Sequence, residues 1–134
     1  MSRSLPAPAR LLPAIGVMAV IFLLSHQQAD DLPPLFPHFD KIAHFFIYGL
    51  LAAALVGAFE PDLRQRRPWP VVGIVVIWCL VYGLSDEFHQ SFIPGRFPSL
   101  ADIVADTFGA VVVSAGWVVV QVQAGKRAVG KESG

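Results

Sequence analysis

Two clusters of polar side chains in this sequence have the types and spacing to do chemistry. One is Asp40, Lys41, His44 and Tyr48. The other lies in YGLSDEFHQSFIPGRFPSLADIVADTFG, the stretch from Tyr82 to Gly109, with Asp86, Glu87, His89, Gln90, Arg96, Asp102 and Asp106. Carboxylates beside imidazoles are the groups of general acid–base catalysis and of divalent-metal binding. An arginine next to them can hold an anionic group through paired N–H donors. If a reaction occurs here, Glu87, Asp86 and His44 are the candidate acids and bases, and Arg96 the candidate anion holder. Neither H-E-x-x-H spacing nor a Gly-rich phosphate loop nor a nucleophile elbow occurs, so the sequence assigns no metal and no cofactor.

These residues flank apolar runs of membrane grade. Placing an ionisable group inside such a run costs about 2.5–3.5 kcal/mol on insertion scales, so each one needs a reason to be there. The chain has 134 residues, 54% of them hydrophobic and 15% charged, with formal net charge zero. Those values fit a single membrane domain and exclude a nucleic-acid partner recruited by basic charge. The lone cysteine, Cys79, has no internal partner for a disulfide.

Four runs read as transmembrane helices, at about residues 9–25, 40–59, 71–90 and 99–122. The first lacks an A-x-A-like cleavage site and reads as a retained span rather than a cleaved leader. Pro13 is placed in its first turn. Residues 26–39 form a loop broken by Pro33, Pro34 and Pro37. Asp40 then opens the second run as its N-cap, and Asp40, His44 and Tyr48 recur every fourth residue on one face. A small-residue face follows, Gly49, Ala52, Ala53, Ala54 and Gly57, of the kind that lets membrane helices pack closely. Residues 60–70 are a polar turn with Arg64, Arg66 and Arg67. In the third run Tyr82, Asp86 and Gln90 repeat the every-fourth pattern. Adjacent Asp86 and Glu87 diverge by about 100°, which points one to the bundle and the other to the interface. After the Pro94–Gly95 break, Ser99 and Asp102 have capping-box spacing at the start of the fourth run. The polar tail, residues 123–134, is expected to be mobile.

Lys and Arg orient the bundle. Arg3, Arg10, Arg64, Arg66, Arg67, Lys126, Arg127 and Lys131 share one side of a four-span model. The other side has Lys41 and Arg96 with Asp30, Asp31, Asp40, Asp86, Glu87, Asp102 and Asp106. Both termini are therefore expected in the cytoplasm, with an acidic vestibule opening outward. The far halves of the runs carry no ionisable residue, which argues against a channel or a proton relay.

Asp40-Lys41-x-x-His44-Phe45 with Tyr48, then Tyr82-x-x-x-Asp86-Glu87-x-x-Gln90-x-Phe92-x-Pro94-x-Arg96, then Asp102 and Gly109, resembles the VanZ-like family of bacterial membrane proteins. Ser25 and Gln27 resemble that family's ending to its first helix, and the likeness covers about residues 15–120. Asp106 departs from it, since the family often has Asn there. The resemblance implies a small multi-pass protein of the bacterial cytoplasmic (inner) membrane. Its founding member is linked to glycopeptide (teicoplanin) resistance.

Three functions stay open on the residues. The first is a binding protein using Asp40, Lys41, His44, Tyr48, Tyr82, Asp86, Glu87, Gln90, Arg96, Asp102 and Asp106 to engage an envelope lipid or a glycopeptide. The second is a membrane enzyme acting on a lipid-linked envelope precursor. The third is a structural bundle in which Asp40 and Asp102 only cap helices, and Lys41 and Arg96 only neutralise carboxylates.

Overall fold

The computed structural model of the chain describes residues 7–28 and 38–132, with side chains described for residues 8–28 and 38–124. The proline-rich loop expected at Pro33, Pro34 and Pro37, with Asp30 and Asp31, lies outside the described residues, as does Arg3. So do the side chains of Lys126, Arg127 and Lys131. Five helices follow one another: α1 (Ala7–Ser25), α2 (Phe39–Ala58), α3 (Pro61–Arg66), α4 (Pro68–Gln90) and α5 (Leu100–Glu132). Four of them, α1, α2, α4 and α5, are long and apolar enough to cross a membrane. The chain is an all-α bundle, and no strand occurs among the described residues.

The surface is apolar. Leu12, Phe46, Ile77, Phe88 and Val120 are exposed. In water so many exposed apolar side chains would invite association, whereas in a bilayer they meet lipid tails. The interior is small and tight: Tyr48, Leu51, Ala52, Val71, Val75, Cys79 and Ala110 are buried. Ala14 and Ile21 of α1 pack against the same core.

Cross-helix contacts show that neighbouring spans alternate in direction. Arg10 at the start of α1 pairs with Glu60 after α2, at 2.9 Å. Arg64 of α3 lies over the Trp117 ring of α5, 5.9 Å from its centroid. At the opposite end Lys41 of α2 meets Asp102 of α5. The start of α1 and the far part of α5 therefore share one end of the bundle, and Asp40, Asp86, Glu87, Asp102 and Asp106 gather at the other. At the basic end, Leu11, Leu55, Phe59, Ile74 and Trp78 help line an apolar cavity of about 330 Å³.

Several local expectations need correction. Pro61 starts a short helix where a turn was expected. Proline suits a helix's first position, and Asp62 and Arg66 add an i,i+4 pair at 3.1 Å. Helix α5 runs ten residues beyond its expected end at residue 122. Gln, Ala, Lys and Arg are good helix formers, and polarity alone does not end a helix. Pro13 lies inside α1, past the first turn, because the helix starts at Ala7. Its missing N–H and ring disturb the bonding of that turn, which membrane helices tolerate. Asp40 is not the N-cap of α2. His38 is, with φ 64°, and it makes no side-chain capping bond.

Candidate functional site

The site is built where α2, α4 and α5 approach most closely. A Cβ on Gly109 of α5 would land on the Phe45 carbonyl of α2, and one on Gly83 of α4 would come within 2.9 Å of Asp106 Oδ2. Glycine at these two points lets the backbones close in, and that brings side chains on different helices into bonding range.

Along the α2–α5 seam the pairs fall one helical turn apart. Lys41 Nζ donates to Asp40 Oδ2 at 2.5 Å and to Asp102 Oδ1 at 2.8 Å. One turn deeper, His44 Nδ1 is 2.8 Å from Asp106 Oδ1. The imidazole stacks on Tyr48, with centroids 6.3 Å apart and planes 8° apart. Spacing by four residues on both helices, 40/41 with 44 and 102 with 106, makes this ladder. Asp40 is exposed, and the Lys41 side chain is 30% exposed. Asp106 is completely buried.

Helix α4 adds the other half. Both Asp86 and Glu87 are buried. The expected divergence of the two acids, one inward and one to the interface, is therefore corrected. Glu87 reaches α5, where its Oε2 accepts the Ser99 backbone N–H at 2.6 Å. In the expected capping box this donor would go to Asp102, whose carboxylate turns to Lys41 instead. Asp86 Oδ2 accepts from Gln90 Nε2 at 3.2 Å, and the same nitrogen is 3.4 Å from Ser25 Oγ on α1. Tyr82 donates to the Met18 carbonyl at 2.8 Å.

Arg96 and His89 stand apart from the carboxylates. Arg96 donates through Nε to the Gln27 carbonyl and through a terminal nitrogen to the Leu24 carbonyl, both at 3.1 Å. It thereby adds donors to two carbonyls at and just past the end of α1, of which that of Leu24 also accepts the Gln27 N–H at 3.3 Å. His89 turns to the end of α1, where its ring packs on Phe22 and its Nε2 is 3.2 Å from Nδ1 of His26, the residue after the helix.

Asp86, Glu87, Gln90, Asp102 and Asp106 are all buried. The expected open vestibule is a packed polar core, with Asp40 and Lys41 at its exposed edge. One ligand atom each from His44, Asp86 and Glu87 lies within 4.8 Å of the others. Glu87 Oε1, Asp106 Oδ2 and the Tyr48 hydroxyl are buried and have no hydrogen-bond partner among the described residues. An acidic core with unused oxygens can receive hydrogen-bond donors or a cation, and a His–carboxylate pair can relay a proton.

Comparison with known proteins agrees with this reading of the bundle. The VanZ/LLP1 family model matches residues 10–121. The chain belongs to the VanZ/LLP1 family. The matched span takes in α1 from Arg10, all of α2 and α4 and about two thirds of α5, together with every member of the polar core. A relative in Schizosaccharomyces pombe (strain 972), described as uncharacterized protein C11E3.10, is 39% identical over 71 residues. The alignment covers 52% of this chain and 41% of that protein. The chain thus spans less than half the length of the relative it matches. No solved structure matches it.

In this VanZ/LLP1 chain, sequence reasoning found the acids, His44, Lys41 and both tyrosines, and it placed them at one end of the bundle. It missed His26, the partner of His89, and Gly83, the close-approach point on α4. The signal for Gly83 was weak and lay in its spacing: it sits one turn after Cys79 and one turn before Glu87, on the buried face of α4.

Proposed function

We infer that this VanZ/LLP1 protein is a multi-pass binding protein of the cell envelope, and that its polar core takes a donor-rich group of an envelope lipid or of a glycopeptide antibiotic. The observation that carries the reading is the set of buried oxygens without partners at Glu87, Asp106 and Tyr48. A buried polar group left unsatisfied costs roughly 1–3 kcal/mol, more if charged, and a ligand supplying donors would recover that cost. Amino and hydroxyl groups are such donors. His44, Asp86, Glu87 and Asp106 form the contact set, Asp40, Lys41 and Asp102 the edge, and Tyr48, Tyr82 and Gln90 the walls. Arg96 holds α1 against the turn that follows α4.

The location follows from two arguments. The VanZ resemblance implies a bacterial cytoplasmic membrane, and the Lys/Arg distribution puts both termini in the cytoplasm with the polar core toward the outside. Titrating purified protein in nanodiscs with teicoplanin and with a lipid-linked cell-wall precursor tests the binding. We expect saturable binding of one of them, weakened about tenfold or more by Glu87→Gln, in keeping with loss of a charged hydrogen bond. Binding of neither, or equal binding by the variant, would remove this reading.

The His44–Asp106 pair favours a second reading, a membrane enzyme that hydrolyses the precursor with His44 as base, held by Asp106. Release of phosphate or of the polar headgroup by wild type, and none by His44→Gln, would select it over binding.

A further inference from the structure

We propose that His44, Asp86 and Glu87 form a site for one divalent transition-metal cation, of which Zn²⁺ and Mn²⁺ fit the donor set best. Their ligand atoms lie within 4.8 Å of one another. Metal–donor bonds of about 2.0–2.4 Å let one ion span separations up to about that distance. One imidazole with two carboxylates suits first-row divalent cations better than Mg²⁺ or Ca²⁺, which favour oxygen-only sites.

Each of the three residues has one atom tied to a neighbour and one left over. His44 Nδ1 is held by Asp106, which leaves Nε2. Asp86 Oδ2 is held by Gln90, which leaves Oδ1. Glu87 Oε2 is held by the Ser99 N–H, and Oε1 is buried with no hydrogen-bond partner. This is how proteins orient metal ligands: a carboxylate behind the histidine fixes its tautomer, and hydrogen bonds fix the acids. Glu87 is only 3% exposed. Lys41, the nearest lysine on the same seam, is already shared by Asp40 and Asp102. Neither Asp86 nor Glu87 forms a salt bridge with a described side chain, so a cation between them would neutralise their charge. No local metal-binding motif marks the site in the sequence, because its ligands come from α2 and α4.

The test uses the full chain in nanodiscs, stripped by a chelator and titrated calorimetrically with ZnCl₂ and with MnCl₂, no other ligand being present. Metal uptake and envelope-ligand binding are thus measured separately, and either can fail alone. We expect one ion per chain. His44→Gln and Asp86→Asn should each weaken binding about tenfold or more. Asp86→Asn keeps an acceptor for Gln90 and is the variant most certain to fold, as checked by circular dichroism. His89→Ala should bind like wild type. Bound Mn²⁺ should show ¹⁴N coupling in its electron spin echo, absent in His44→Gln. Lack of stoichiometric uptake of both ions would overturn the proposal. So would unchanged affinity in Asp86→Asn, or loss of binding in His89→Ala, which would move the ion to the His26–His89 pair.

Discussion

His44 and Asp106 form the deepest polar pair between α2 and α5, and Lys41 and Asp102 the shallower one. Burial decides their relative strength. A pair that stays partly wet gains little, because water competes for both partners. A buried hydrogen bond involving a charged group contributes about 1.5–3 kcal/mol, and breaking it strands the survivor. Double-mutant cycles in detergent should therefore give a larger coupling for His44–Asp106, about 1.5 kcal/mol or more, than for Lys41–Asp102. Equal couplings would show that both pairs are equally hydrated. At this scale the sequence was half legible. Recurrence every fourth residue identified His44, Tyr48, Asp86 and Gln90. Partner choice was not legible, since Glu87 selects the Ser99 N–H and Arg96 selects carbonyls, and no local spacing encodes either bond.

At the scale of elements, hydropathy made the four spans readable, because few soluble helices are so apolar for so long. What hydropathy left out is how closely they pack. Gly109 decides that for α2 and α5, since a Cβ there has no room beside the Phe45 carbonyl. Gly109→Ala should destabilise by about 2–3 kcal/mol as an overpacking change. Gly57→Ala is the contrast: its Cβ would meet nothing within 4 Å, and Ala favours the helix. That variant should be neutral or slightly more stable in the same thermal melt. Comparable losses in both would mean that helix propensity, not close approach, governs these sites. Arg96→Ala removes two bonds to the end of α1. It should lower stability by about 1–2 kcal/mol and raise proteolysis near residues 24–28. An unchanged digestion pattern would separate Arg96 from the anchoring of α1.

At the scale of the molecule, the polar core, the alternating spans and the apolar exterior form one arrangement. Most arginines gather at one end and most carboxylates at the other, and that asymmetry was legible because it needs only the order of runs and loops. In a chain with Cys79 replaced by Ala, single cysteines at Gln65 and Phe92 report its orientation. An impermeant reagent added to intact cells should label position 92 and spare 65; the reverse pattern would invert the proposed topology. A polar core that serves a ligand holds charge the resting fold does not need. Glu87→Gln addresses it directly, because glutamine keeps an oxygen for the Ser99 N–H while removing the buried charge. Melting of metal-stripped protein in nanodiscs should show the variant more stable by about 1 kcal/mol, a rise of roughly 3 °C, since sites kept for function usually cost stability. A variant that melts below wild type would show that the Glu87 charge holds the bundle together, and the core would then be structural.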